Sequence, residues 1–558
     1  MPVLRLSIPR LLSLVGEDLG IDELRSHLFR LKCESEVLED GGLEVEVNSD
    51  RPDMFSSEGI ARALKGLLRR ERGFRIPEVY DSGYVVYVDP PRRRPYIAVA
   101  TVENVKLDEV ALEELIQFQE KLHVTYGRNR RRIAIGIHDL SKVPSKELRY
   151  LDVVIDQVRF RPLHHEEVMA IRDVLRRTEQ GAMYGSIALD GDKHPAIFSG
   201  GELISLPPVI NADLTRLEPG TSSLLIDVTG TDRELVDRVL GLLVLNICEA
   251  SRSCRIGRAR VVYRWGVEHA TPSLGIGVVE LDPRYVNDLL GTALSPREIA
   301  EALEYMRFRT EVLGGRLIRV EVPPFRFDVL HPADLAEDVA MFVGYDELGP
   351  EEVPSPGYRQ PSLEVRVERA VRDAFVGLGY HEVNTFTLAP SSVVRLVEPK
   401  GFVRIANPLS VELDSLRPSL VPTMLLVMRA SQHAALPVKV FEVGDAVVPE
   451  PASPTGWRTA RYVAAGLMDS VLRFEELHAD VYAAIRELGL EPRGRACRKE
   501  FLIEGRTACI EAEGIELGFM GEVSPRILEE LGIANPVAVA ELSFDALVEA
   551  VKRRRRAR

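Results

Sequence analysis

The stretch Pro323-Pro-Phe-Arg-Phe-Asp-Val-Leu-His-Pro-Ala-Asp-Leu-Ala-Glu-Asp-Val-Ala-Met-Phe-Val-Gly-Tyr345 leaves its part of the chain little freedom. Phe325, Phe327 and Val329 alternate with Arg326, Asp328 and Leu330, which predicts a short strand. Pro332 suits the first position of a following helix, where its missing N–H costs nothing, and Gly344 suits the end of that helix. At about 100° per residue, Asp334, Glu337 and Asp338 share one narrow face beside an apolar stripe of Leu335, Val339 and Phe342. Like charges at this spacing repel by about a few tenths of a kcal/mol per pair, so the cluster invites water, the positive helix end or a cation. Asp328 can add a fourth carboxylate, and four hard oxygens suit Mg²⁺ better than Ca²⁺, which takes more ligands. A solvated acidic first turn satisfies the same pattern, and spacing alone ranks it ahead of a metal.

A chain of 558 residues is too long for one core and predicts three to five domains. Its 45% hydrophobic and 28% charged residues are a soluble globular composition, with no apolar run near the roughly 18 residues of a membrane span. The start, Met1 to Arg10, lacks the apolar stretch of a signal peptide, so a cytoplasmic protein is expected. Cys33, Cys248, Cys254, Cys497 and Cys509 show no two-residue zinc spacing and are expected to be reduced, structural thiols. A net charge of −14 argues against indiscriminate coating of nucleic acid. Arg92-Arg-Arg94, Arg128 to Arg132 and the tail Lys552 to Arg558 can each meet phosphate, although solvated charge runs are commoner, and the tail is expected to be disordered.

In chain order, residues 1–88 predict a small α+β domain. It has a strand at Val3 to Ile8, a helix capped by Asp22, a strand at Leu43 to Val47, and a helix capped by Ser56 or Ser57. Asn48-Ser-Asp-Arg-Pro-Asp53 between them is turn chemistry. Pro90-Pro91 opens a larger segment, 89–270, in which His138-Asp139 is expected to be a satisfied strand end rather than a proton shuttle. Asn211, Thr221, Asp227, Thr229 and Asp232 stand beside Pro and Gly turns, able to bind an amino-acid moiety or orient water, and equally able to satisfy a loop. Residues 271–350 predict a compact unit with a strand at Val278 to Asp282, helices opening at Asp282 or Ser295-Pro296, and a hairpin turn at Gly314-Gly315. Pro350, Pro354 and Pro356 read as a linker before the last segment, 351–558.

Pro324 to Asp328, His331 to Asp338 and Val343-Gly-Tyr345 resemble the signature of the phenylalanyl-tRNA synthetase beta subunit of the archaeal and eukaryotic cytosolic type. The resemblance implies Asp328, Asp334, Glu337 and Asp338 as magnesium ligands, at a site completed by the partner alpha subunit. Phe118 to His123, Tyr126 to Leu140, Ser205 to Asn211 and Ile226 to Asp232 resemble that subunit's editing domain, which implies hydrolysis of tyrosine wrongly attached to the tRNA for phenylalanine. Such a sieve has a physical reason: a pocket shaped for phenylalanine rejects an isostere bearing one extra hydroxyl by only about 10²-fold. Asn211, Thr221, Asp227, Thr229 and Asp232 are the candidate editing residues. Residues 271–350 resemble a small winged-helix-like module carrying the magnesium site.

Gly379 to Leu388, Asn407 to Pro422, Val440 to Asp445, Gly518 to Pro525 and Val537 to Leu542 resemble a class II synthetase fold, an antiparallel sheet flanked by helices. Charge developing at phosphorus demands positioned cations. Here the second signature, Leu436 to Asp445, has no arginine before its acid, and Gly521 to Arg526 stands where the third would be. The resemblance therefore implies a multidomain α+β chain whose last domain lacks the catalytic signatures. It also implies a tetramer of two alpha and two beta chains, with ATP and tRNA as substrates of the complex and activation carried out by alpha. A self-sufficient class II ligase and a free-standing tRNA-binding or editing protein are the alternatives.

Overall fold

Leu4 and Leu6 are buried and Val3 and Arg5 exposed, and the alternation folds as the strand Val3–Ser7, antiparallel to Gly42–Glu46. The strand ends before Ile8, because the Ser7 side chain accepts from the Arg10 N–H and caps a helix, Ile8–Val15, with Pro9 in its first turn. Ser56 caps the helix Ser57–Leu67, whereas Gly20, not Asp22, precedes the helix Ile21–Arg30. The computed structural model describes residues 2–350, 357, 359–399 and 401–557, in two compact units, Met1–Val353 and Pro354–Arg558. The linker prolines Pro354 and Pro356 lie outside the described residues. No helix among the described residues is long and apolar enough to cross a membrane.

In the first unit a ten-stranded sheet runs in the order Ile210–Asn211, Glu202–Leu206, Lys193–Ser199, Glu147–Val154, Glu78–Val88, Arg255–Tyr263, Tyr96–Glu103, Ser223–Gly230, Ile133–Asp139, with Glu268–Thr271 paired to Arg255–Tyr263. Glu78–Val88 is parallel to both its neighbours and the other pairs are antiparallel. Ile133–Asp139 is buried at every position and Ser223–Gly230 at nearly every one, as expected of strands covered on both faces. The helix Arg233–Glu249 packs against Tyr96–Glu103 and Ser223–Gly230 and is buried throughout Val239 to Cys248.

The strands Gly277–Leu281, Leu317–Val322 and Arg309–Leu313 form a small sheet with the helices Pro283–Leu290, Pro296–Tyr305 and Pro332–Val343 beside it. Ser295 and Glu298 close a reciprocal capping box, and the hairpin turns at Gly314-Gly315 as expected. Residues 323–331 are not the predicted strand. Pro323 and Pro324 carry no N–H for a ladder, so the segment turns while Phe325 and Phe327 still enter the core. One hydrophobic core runs from Leu4 through the large sheet to Met341.

The second unit holds a seven-stranded sheet in the order His381–Glu382, Val438–Pro449, Trp457–Met468, Val537–Ser543, Ile515–Val523, Leu502–Ala512, Arg493–Ala496. It is antiparallel except for its first pair, which is parallel and so departs from the expected pattern. Ala538, Ala540 and Leu542 belong to one core and Val537 and Val539 to another, so both faces are covered. Arg417 is buried with Glu442, 2.8 Å apart, and also holds Thr423 Oγ1, the Asp445 carbonyl and Thr385. Glu442 thus has its counter-ion within the chain, in an arginine earlier in sequence.

Two expectations are corrected here. The basic tail is helical, within Phe544–Ala557, because Lys552 meets Glu364 at 3.1 Å and Arg554 meets Glu513 at 3.4 Å. The cysteines are not all reduced: Cys248 is bonded to Cys254 and Cys497 to Cys509, leaving Cys33 free and buried. A test for zinc spacing misses both pairs, since one closes a turn between helix and strand and the other lies across neighbouring strands.

Candidate functional site

The strand Ile133–Asp139 lies beside Ser223–Gly230 in a register that sets Gly136 opposite Asp227 and His138 opposite Leu225. Asp227 and His138 are therefore diagonal neighbours on one face. His138 Nε2 lies 2.9 Å from Asp227 Oδ2, and its Nδ1 lies 2.7 Å from Thr215 Oγ1. Both side chains of the pair are almost wholly buried. Asp227 Oδ1 is buried and has no hydrogen-bond partner among the described residues. Asp227 is one of the residues in the wall of a cavity of about 470 Å³, between this sheet, the helix Glu109–Val124 and residues 163–165 and 205–219.

The same cavity is lined by Gln119, Glu120, Arg130, Ser205, Asn211 and Thr215. Asn211 donates to the Ile137 carbonyl at 3.3 Å and accepts from the Ser205 hydroxyl at 2.9 Å. Glu120 accepts from Arg130 Nη2 at 2.7 Å and lies 3.0 Å from His123 Nδ1. Burial pushes the Glu120 carboxyl up, but His123 and Arg130 outweigh it and hold it below the usual range. Burial lowers His123, whose Nε2 accepts from the Ile135 N–H. Arg130 also donates to the carbonyls of Pro208 and Val209 and lies over the Tyr184 ring at 4.3 Å.

Arg128, Asn129 and Arg130 have φ of 48°, 54° and 63°, three successive left-handed residues without a glycine. Such a run is costly and persists only when its surroundings fix it. Here it delivers Arg130 to the cavity while Arg128 and Arg131 stay exposed, so the basic cluster is divided between site and solvent.

Of the five candidate editing residues, the structure brings Asn211 and Asp227 to the cavity. Thr229 is buried behind it, accepting from Arg94 Nε at 2.9 Å. Thr221 donates to Asp139 Oδ2 at 3.1 Å, and Asp232 caps the helix Arg233–Glu249 and pairs with Arg132 at 2.7 Å. Sequence reasoning passed over Glu120, Arg130, Ser205 and Thr215. Asp139 does end its strand satisfied, by Ser141 and Thr221.

The acidic helix Pro332–Val343 forms as expected, with Pro332 in its first turn and Gly344 after its last. Its acids do not face one point. Arg326 donates to Asp328 and Asp338, each at 2.6 Å, and both carboxylates are nearly closed to solvent. Burial raises Asp328 but Arg326 overrides it and holds the carboxyl at about 2, whereas burial dominates at Asp338 and keeps it raised. Asp334 accepts from the N–H groups of Leu330 and His331 at the helix start, and Glu337 pairs with Lys32 at 2.6 Å. Among the described residues no group of three or more His, Cys, Asp or Glu is arranged to hold a metal. The four acids therefore do not fit an ion held by this chain alone.

Asn48 to Asp53 does turn, the Arg51 N–H donating to the Asn48 carbonyl at 3.1 Å, and its last residues, Arg51 to Asp53, are buried. Arg51 forks onto Asp53 at 2.8 and 2.9 Å. Arg62 donates to Asn246 at 2.9 Å and lies 3.7 Å from the centre of the Phe325 ring. Arg51, Arg62, Arg307 and Arg326 surround a cavity of about 10 Å³.

Residues 350–544 match the family described as the phenylalanyl tRNA synthetase beta chain CLM domain, and residues 279–345 match the tRNA synthetase B5 domain. A phenylalanine–tRNA ligase beta subunit from Aeropyrum pernix is 45% identical over 555 residues, covering 98% of this chain and 99% of that protein. One from Saccharolobus solfataricus is 38% identical, covering 98% of each. The crystal structure of an N-terminal fragment of the phenylalanyl-tRNA synthetase beta subunit from Pyrococcus horikoshii is 35% identical with a TM-score of 0.59, covering 62% of this chain and all of the fragment. With likeness of this degree along nearly its whole length, the chain belongs to the family of phenylalanine–tRNA ligase beta subunits.

Proposed function

We propose that this chain works in the cytoplasm with a catalytic alpha subunit, in a tetramer of two alpha and two beta chains, to attach phenylalanine to its tRNA. Its own chemistry is the hydrolysis of tyrosine wrongly attached to that tRNA. Residues 1–88 are an N-terminal α+β domain, 89–270 the editing domain, 271–350 a winged-helix-like module, and 351–558 a class II synthetase-like domain without its catalytic arginines. One observation carries the editing reading: Asp227, whose Oδ1 is a buried acceptor without a donor among the described residues, lines a cavity large enough for an aromatic amino acid.

A tyrosyl ring brings the missing O–H to Asp227. A phenylalanyl ring brings no donor and leaves Oδ1 unmet, at a cost of about 1–3 kcal/mol. A site built to bond a hydroxyl thus rejects the analogue that lacks it, the reverse of the bias in a pocket shaped for phenylalanine. Glu120, Arg130 and Asn211 offer the acceptors and donors to hold the ester and orient a water. The absence of nucleotide chemistry in the second unit is supported by the sequence Leu436 to Asp445, which has no arginine before its acid, and by Arg417, which is buried on Glu442.

The chain is purified with and without alpha, and complex mass, phenylalanylation and release of tyrosine from mischarged tRNA are measured. A mixed complex that charges phenylalanine and hydrolyses tyrosyl-tRNA is expected. A monomer that forms no mixed complex, or adenylate formed by this chain alone, overturns the reading.

For magnesium the supported reading is narrower than four ligands. Arg326 holds Asp328 and Asp338, while Asp334 and Glu337 are half-buried, and an ion there would be completed from the alpha chain. Asp334→Ala with Glu337→Ala is expected to weaken Mg²⁺-dependent association with alpha several-fold, measured by titration. Association that stays the same across Mg²⁺ concentrations shows the acids to be only a solvated face.

A further inference from the structure

We propose that His138 is a positioning residue, which fixes the Asp227 carboxylate as a hydroxyl reader by occupying one of its oxygens. The inference rests on the editing reading above. His138 does not reach the cavity, so it does not touch the ester. Its side chain is fully buried and both ring nitrogens are engaged. A carboxylate only accepts, so Nε2 carries the hydrogen bonded to Asp227 Oδ2, while the Thr215 hydroxyl engages Nδ1 on the other side of the ring. Thr215 thereby holds the imidazole in the orientation that aims Nε2 at Asp227.

Space for the pair comes from Gly136. A Cβ at that position would stand 2.1 Å from Asp227 Oδ2 and 3.0 Å from His138 Nε2. The backbone is set by pairing with Ser223–Gly230, so only a residue without a side chain lets the imidazole and the carboxylate meet across the strands. With Oδ2 held, the carboxylate of this cavity-lining residue keeps one orientation and Oδ1 stays the oxygen without a partner. Without His138 nothing holds Oδ2 and the carboxylate is free to turn. A carboxylate that turns no longer distinguishes a tyrosyl from a phenylalanyl side chain by one fixed, unmet acceptor.

The test uses the full chain assembled with alpha, comparing native protein, His138→Ala, His138→Gln and Thr215→Val. The readout is the ratio of kcat/KM for deacylation of tyrosyl-tRNA over phenylalanyl-tRNA, with the melting temperature alongside. His138→Ala is expected to lower the ratio about tenfold, the range for one hydrogen bond to a charged group. His138→Gln, whose amide N–H can donate to Oδ2, should recover most of it, and Thr215→Val should fall between. A native ratio in His138→Ala, or equal loss in the Ala and Gln variants, overturns the inference, as does a fall in both rates that keeps their ratio. If the alanine variant fails to fold, the glutamine variant decides, since a lost ratio in a folded His138→Gln protein is equally fatal. Native protein that does not hydrolyse tyrosyl-tRNA overturns the editing reading and this inference with it, an outcome seen before any variant is compared.

Discussion

Arg326→Met is expected to destabilise the unit Met1–Val353 by about 3–5 kcal/mol, the usual cost of removing one partner from a buried ionic group. The side chain is 3% exposed, and its fork meets Asp328 through Nε and Nη2 and Asp338 through Nη1 and Nη2. Methionine fills similar volume, so the loss is electrostatic: two carboxylates remain in a place that burial alone would keep neutral. The opposed directions of their acidity show how the guanidinium is divided. Asp328 is drawn down and Asp338 is not, so one cation satisfies both by hydrogen bonds yet outweighs burial at only one. Adding Asp338→Asn should restore part of the lost stability, since an amide needs no counterion. Urea unfolding followed by circular dichroism reads both changes. An Arg326→Met protein with native stability would mean that the acids find water or another cation when the arginine is removed.

Gly136→Ala is expected to abolish tyrosyl-tRNA hydrolysis, by about 100-fold or more, with only a modest loss of stability. A misplacement of about 1 Å in a substrate-positioning group can cost that much, and the added carbon would stand 2.1 Å from Asp227 Oδ2. Both flanking strands are buried and paired, so the carboxylate must move rather than the backbone. Overpacking of this kind costs about 1–3 kcal/mol. Rapid-quench deacylation and a thermal melt separate the two effects. A Gly136→Ala chain that still releases tyrosine at the native rate would show that Asp227 has no part in the reaction.

What could be read from the sequence follows the range of the interactions. The helix Pro332–Val343, its proline start and glycine end, the Ser295 cap and the Gly314-Gly315 hairpin are settled within a few residues of each other, and all were legible. The helix Ile8–Val15 was hidden because Ile8 continues an alternation that its cap interrupts. The expected strand at 325–329 failed on two prolines in plain view, whose missing donors outweighed the alternation of the aromatics. At the candidate site, Asn211 and Asp227 could be singled out as polar groups near turns, but His138 and Asp227 are 89 positions apart and meet only through strand register. The same limit applies to Arg94 and Thr229, separated by 135 positions, and to Arg62 and Asn246, separated by 184. A residue's type can suggest what it offers, but its partner is decided by which strands become neighbours.

The interior that stretches without a break from Leu4 to Met341 bears on how such a chain can change over generations. Asn246, borne by a helix of the large sheet, donates to the Asp53 carbonyl and Ser56 Oγ of the opening segment, far back in sequence. The segment that carries the cavity, cut out at either end, would therefore arrive in a new host with a raw apolar wall and orphaned arginines. Side chains around the cavity can be exchanged one at a time, but the compartment cannot be lifted out whole without exposing that shared interior.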